Sequence, residues 1–273
     1  MVRGRLFALV VLLAIAASAG SAHAATITVN TTFDDQNQGD NQCSLRKAIQ
    51  DVDTPGSGQT DCAPAAFGAN TIVLAAGRYL LGPQFPGPGQ QLTIAPTVTN
   101  LTIAGANENT TSIDAGSLNN RVFMVSSGAN VTLQNVTVLN GSAPSGATGP
   151  SGAAGQAGSN GGAILNQGTL SVVNSAITNS RAGSGGNGGP AGTSGPGGDG
   201  GPGGSGGAIY NTGALTLTGA TIGSDVAGTG GTGGAGAQGA PGTDGGNGGA
   251  GGTGGGIENA GGTLTVVGST IRG

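Results

Sequence analysis

The sequence predicts an all-β chain wound into a right-handed single-stranded parallel β-helix, with a small N-terminal cap and long Gly-rich inserts. Two patterns and a composition lead there. Gly161-Gly162-Ala163-Ile164-Leu165-Asn166 recurs as Gly206-Gly207-Ala208-Ile209-Tyr210-Asn211, and again, with Gly for Ala, as Gly254-Gly255-Gly256-Ile257-Glu258-Asn259. Behind each copy stand a second strand (Leu170-Ser171-Val172, Leu215-Thr216-Leu217, Leu264-Thr265-Val266) and a third apolar point (Ile177, Ile222, Ile271). A three-strand unit that completes a circuit and stacks on the next is a β-helix coil, with Ile164, Ile209 and Ile257 turned inward. Glycine makes up 61 of 273 residues and charged residues only 7%. A conventional core over the whole length is therefore excluded, and apolar packing must be local.

Residues 1–24 read as a signal peptide. Arg3 and Arg5 precede an apolar run from Leu6 to Ala17, and Ala22-His23-Ala24 offers small residues for cleavage. The run is short and Ala-rich at its end, so an uncleaved anchor is the weaker reading. Export makes a disulfide between Cys43 and Cys62 the natural expectation, closing a loop of about 20 residues. Two free thiols, or a metal site, are the alternatives.

Residues 25–68 form the cap. A strand spans Ala25 to Asn30, a polar loop runs from Asp34 to Gln42, and a short helix starts at Ser44 as N-cap. Leu45, Ala48 and Ile49 share one helix face, suited to covering an open end of the stack. Asp34, Asp35 and Asp40 cluster in the loop; a solvated acidic loop is the ordinary reading and a calcium site the alternative.

Residues 69–140 hold the first coils, in short segments such as Thr71-Ile72-Val73-Leu74, Leu92-Thr93-Ile94 and Leu101-Thr102-Ile103. Val131, Leu133, Asn135 and Val138 match Leu170, Val172, Asn174 and Ile177, so the stack begins before the glycine-rich part. Residues 141–273 hold the repeats with their inserts. Asn166, Asn211 and Asn259 either stack as a side-chain amide ladder or accept positive φ at a turn.

The inserts keep a beat of three, with Gly at every third position from Gly183 to Gly207 and from Gly230 to Gly254, and more briefly from Gly146 to Gly161. Three residues per turn is the polyproline-II period. One straight leg of about 22 residues would reach roughly 68 Å and could not return, so an ordered insert of extended chain is a hairpin of two legs. A flexible glycine-rich loop and a collagen-like triple helix are the other readings.

Composition limits the chemistry. The one histidine, His23, lies in the signal segment, so the mature chain has neither a Ser-His-Asp relay nor a His-ligated metal. Lys47 and five arginines form no basic stripe, which excludes a nucleic-acid partner. No cofactor, catalytic residue or metal ligand is expected.

Cys43-Ser44-Leu45-Arg46-Lys47-Ala48-Ile49, with the strand Thr26 to Asn30 before it and Asn70 to Tyr79 after it, resembles the CSLREA domain of exported bacterial surface proteins. Lys47 replaces the Glu usual in that family and takes away any salt bridge the acidic residue would make with a neighbouring arginine. The GGAI units resemble repeats of polymorphic outer-membrane proteins and related parallel β-helix proteins. These resemblances imply location and fold. The expectation is a non-enzymatic secreted or cell-surface protein, associated with an outer membrane through a lost C-terminal anchor. Its role is adhesion or envelope structure, with glycans or a host or neighbouring cell surface as partners. The alternative is a polysaccharide-acting lyase or glycosidase, which requires clustered carboxylates.

Overall fold

The computed structural model describes residues 24–57, 61–82, 90–116, 118–238 and 244–272. The signal-peptide assignment falls, except for Ala24, outside the described residues.

The chain climbs in coils of three short strands. β1 (Ala25–Thr28) starts the stack and α1 (Leu45–Asp53) follows it. The first full coil is β2 (Asn70–Leu74), β3 (Gly77–Leu80) and β4 (Leu92–Ile94); the second is β5 (Leu101–Gly105), β6 (Thr111–Asp114) and β7 (Phe123–Val125). Next come β8 (Asn130–Gln134), β9 (Thr137–Leu139) and β10 (Ile164–Asn166), then β11 (Thr169–Val173), β12 (Ala176–Thr178) and β13 (Ile209–Asn211). The upper coils are β14 (Ala214–Thr218), β15 (Thr221–Gly223) and β16 (Ile257–Asn259), then β17 (Thr263–Val267) and β18 (Thr270–Arg272). Corresponding strands pair in parallel, giving sheets of 7, 6 and 5 strands. The predicted parallel β-helix is the observed fold.

Register follows side-chain chemistry. One column runs Ile27, Ile72, Ile103, Leu133, Val172, Leu217 and Val266, each paired with the next. Another runs Tyr79, Ile113, Val138, Ile177, Ile222 and Ile271. Each buried rung of this size contributes roughly 1.5–3 kcal/mol. A slip by one residue would turn every such column outward, so the alternating pattern pins the register. β1 pairs with β2, so the predicted cap already supplies the first rung of the largest sheet. β3, β6 and β7 are strands that the alternation in the sequence marked weakly or not at all.

α1 closes the lower end. Ser44 caps it, its Oγ accepting the Lys47 N–H at 3.2 Å. Leu45, Ala48, Ile49 and Val52 enter the core, and the helix packs on β2 and β4. Cys43 and Cys62 form a disulfide with Cα atoms 4.7 Å apart. Reduction is expected to cost about 3 kcal/mol through loop entropy, read as a lower melting temperature with reductant. Non-reducing mass spectrometry should find no free thiol.

All three inserts leave at the same corner, between the six-stranded and the five-stranded sheet. The GGAI signature is the re-entry point. Gly161, Gly206 and Gly254 hold φ of 68°, 70° and 66°, the left-handed region that glycine tolerates. The second glycine of the motif lets coils touch: a Cβ on Gly162 would stand 2.0 Å from the Gly207 carbonyl oxygen.

Candidate functional site

Three places concentrate polar chemistry: the cap, the insert corner and the inserts themselves. In the cap, Lys47 is 1% exposed. Its Nζ lies 2.5 Å from Asp35, 3.2 Å from Asp40 and 2.9 Å from Asp61, and donates to the Gln42 carbonyl at 2.8 Å. Burial pulls the Lys47 pKa down, but the hydrogen bonds that its ammonium donates to Asp35, Asp61 and Asp40 outweigh it and the pKa is raised. The Asp35 carboxyl, which burial alone would push up, is held below its ordinary value by Lys47. Beside this knot, Arg46 grips Asp34 through Nε at 2.8 Å and Nη2 at 2.7 Å. The acidic loop is thus neither solvated nor arranged around an ion: Asp34 and Asp35 are buried, and an ammonium occupies the point where carboxylates converge. Arg46 keeps a full partner despite Lys47, because Asp34 supplies the carboxylate.

Next to the cap lies a cavity of about 380 Å³ lined by Gln36, Arg46, Gln50, Asp53, Gln91 and Thr93, among others. Asp53 accepts the Ala95 N–H at 2.9 Å. Burial raises its pKa to about 6. Asp53 is the functional-site candidate that the sequence did not mark. At the end of a helix of ordinary composition, nothing in the chain signals that its carboxylate is half-buried.

The predicted amide ladder exists. Asn166 Nδ2 donates to Asn211 Oδ1 at 2.6 Å, and Asn211 Nδ2 to Asn259 Oδ1 at 2.6 Å. Each Nδ2 of these two also reaches a carbonyl at the next turn, Ala214 or Thr263, at 3.0 Å. The column beneath is Val125 and Ile94, so Asn166 Oδ1 is buried without a partner. The positive-φ role also exists, but in other asparagines: Asn135 and Asn174 at one corner, Asn140 and Asn179 at the next. Ile164 and Ile209 are buried, while Ile257 on the upper coil is partly covered. These ladder and core residues hold the scaffold and touch no cavity described here.

At the insert corner Asp225 Oδ1 accepts the Ser180 N–H at 2.8 Å, and its Oδ2 has no partner. Burial raises its pKa to about 7. Between the ordinary value of 3.8 and about 7 the folded chain holds a proton that the unfolded chain has released. Stability therefore falls as pH rises across that window. Melting temperature is expected to drop between pH 4 and pH 8, by the equivalent of on the order of 2 kcal/mol once solvent screening of the carboxyl is allowed for. Asp225→Asn is expected to flatten that slope, measured by thermal melts at several pH values.

The inserts are packed extended hairpins, one of the three arrangements the sequence left open, and not flexible loops. Each sends one leg out and one back, and the legs stack in two layers as a fin beside the β-helix. Within a layer, Gly146, Gly149 and Gly152 donate up to Ser184, Asn187 and Pro190; Gly185 and Gly188 donate on to Thr229 and Thr232. Between layers, Gly183, Gly186 and Gly189 donate to Ser159, Gln156 and Ala153, and Gly228, Gly231 and Gly234 to Gly204, Gly201 and Gly198. Every third residue thus makes the same contact, as a threefold extended helix requires.

The third phase faces outward and carries the side chains. Ser145, Ser184 and Thr229 form one row, Thr148, Asn187 and Thr232 the next, all exposed or half-exposed. On the other layer Asp199 and Asn247, then Asn160, Ser205 and Thr253, form similar rows. Row side chains accept the next leg's remaining N–H, as Asn187 Oδ1 does from Thr232 at 3.1 Å and Asp199 Oδ1 from Asn247 at 2.7 Å. Pro190 and Pro202 fit here because the N–H of this phase donates to no backbone carbonyl among the described residues, only to row side chains where these reach it. The rows lie about 9 Å apart along a leg, three residues of extended helix.

Compared with known proteins, the chain matches no family model, no curated protein and no solved structure.

Proposed function

We propose that the chain is a non-enzymatic exported protein of the cell surface or extracellular space, serving adhesion or envelope structure. In this reading the β-helix carries the polyglycine fin, and the fin's outer rows make the contacts, with glycans or a neighbouring surface. The observation that carries the proposal is the fin itself. A linker needs no order, whereas here backbone bonds at every third glycine hold hydroxyl and amide groups in a fixed exposed lattice. Such groups donate and accept at once and suit polyhydroxylated partners, directly or through water. The resemblance of residues 43–49 to a domain of exported proteins supports the location. Consistent with a structural use of charge, Asp34, Asp35, Asp40 and Asp61 engage Arg46 and Lys47, and Asp114 engages Arg78.

The test is a glycan array and a cell-surface binding assay with residues 25–273. Binding is expected, and Thr148→Lys with Thr232→Lys should weaken it at unchanged melting temperature. Absence of binding to every glycan and surface would sink the adhesive role.

One observation favours the enzymatic alternative: Asp53, with its raised pKa, lines a polar cavity beside Arg46. A glycosidase needs two carboxyl groups across the bond, and Asp53 is the one carboxylate among the described lining residues. Depolymerisation of a polysaccharide by purified protein, abolished in Asp53→Asn, would replace the first reading with this one.

A further inference from the structure

The cavity beside the cap has a chemistry of its own. Its floor is apolar, made by Ile49 of α1 and Leu92 of β4, both part of the buried core. Around that floor stand Gln36, Gln50 and Gln90, all exposed, whose side-chain amides make no hydrogen bond among the described residues. Each such amide offers donors and an acceptor together. Asp53 completes the wall. Its Oδ1 accepts the Ala95 N–H at 2.9 Å, and its Oδ2 takes no bond among the described residues.

The cations beside the cleft are already engaged. Arg46 gives Nε and Nη2 to Asp34 and Nη1 to the Gln91 carbonyl. Arg121 gives Nη1 to Gln91 Oε1 at 2.7 Å, and Nε and Nη2 to the carbonyls of Gly161 and Asn160. Neither is left to receive a phosphate or a uronate. One carboxyl among amides, with a guanidinium beside it, does not select a cation either. What fits is a neutral molecule rich in hydroxyls, with C–H faces for the apolar floor.

The cleft continues up the five-stranded sheet. Thr93 lines it, and in the column above, Thr93 pairs with Met124, Met124 with Leu165 and Leu165 with Tyr210. Met124, Leu165 and Tyr210 each alternate with buried neighbours, so they face outward and stay half-exposed. Tyr210 stands three rungs above Thr93, about 14 Å away. Pyranose rings in an extended chain advance by close to one strand spacing each. A linear chain seated in the cleft therefore brings a later ring over Tyr210, whose apolar face and polar tip suit that contact.

We propose that the cleft and this column bind a neutral linear oligosaccharide, whose terminal sugar enters the cleft and donates a hydroxyl to Asp53 Oδ2. The site is separate from the fin and stands or falls without it. Binding needs no second carboxyl, so it does not rest on the enzymatic alternative.

Isothermal titration calorimetry of residues 25–273 at pH 7 tests this, with tetrasaccharides of β-linked glucose, mannose, xylose and N-acetylglucosamine as probes. At least one is expected to bind. Asp53→Asn keeps the Oδ1 bond to Ala95 but turns the free acceptor into a donor. It should weaken that tetrasaccharide at least tenfold without lowering the melting temperature. Tyr210→Ala should weaken it several-fold, and Thr148→Lys with Thr232→Lys on the fin should leave it unchanged. Failure of all four probes to bind overturns the proposal. So does a complex that either Asp53→Asn or Tyr210→Ala leaves intact, or that the fin substitutions weaken.

Discussion

Replacing Gly249 by Ala is expected to open the fin, while the same change at the adjacent Gly248 is expected to leave it closed. A Cβ on Gly249 would stand 2.0 Å from the Gly201 carbonyl oxygen, a backbone atom that cannot turn aside. On Gly248 the nearest atom would be 3.8 Å away. Overpacking of this kind costs about 1–3 kcal/mol when side chains can yield, and a fixed carbonyl pushes Gly249→Ala to the top of that range or past it. The loss is local, because the coil strands are bonded to one another independently of the insert. Circular dichroism should therefore keep its β signal. Hydrogen exchange should separate the variants: the Gly228, Gly231 and Gly234 amides, which donate across the layers, should lose protection in Gly249→Ala and keep it in Gly248→Ala. Fast exchange at all three glycines in the parent chain would show instead that the inserts are flexible loops.

That pair of neighbours shows how far the sequence could be read. The beat of three matched an extended helix without excluding a flexible loop, and the common position of the inserts put them on one side of the stack. Which glycines carry the packing was hidden, because the phase facing a neighbouring leg depends on where each hairpin turns. The columns through Ile164, Ile209 and Ile257 were legible because inward residues of a coil repeat in type. Of the two readings of Asn166, Asn211 and Asn259, the ladder is the one these residues adopt, while positive φ falls on other asparagines, Asn135 and Asn174 at the corner. β6 and β7 were hard to see, since Thr111–Asp114 and Phe123–Val125 gain their partners from coils above and below. Asp53 and Asp225 were invisible for a related reason: a raised carboxyl pKa comes from burial, which local sequence does not encode.

Lys47→Met is expected to be the most damaging single change in the cap. It removes the ammonium and leaves Asp35, Asp40 and Asp61 facing one another around an apolar side chain. Breaking a buried ion pair from one side costs about 3–5 kcal/mol, because the partners' charge stays behind uncompensated. Lys47→Glu is expected to be worse still, since it adds a fourth carboxylate to the same point. The pH dependence gives an independent reading. The Asp35 and Asp61 carboxyls have folded pKa values below the unfolded value of 3.8. Their contribution is therefore present above that value and is lost as pH falls through the lowered folded values. Acid should thus unfold the parent cap, while in Lys47→Met acid should restore stability by protonating the crowded carboxylates. Thermal melts from pH 3 to pH 7 would show the two curves sloping in opposite directions below about pH 4. Parallel curves would mean that Lys47 does not hold the acidic loop.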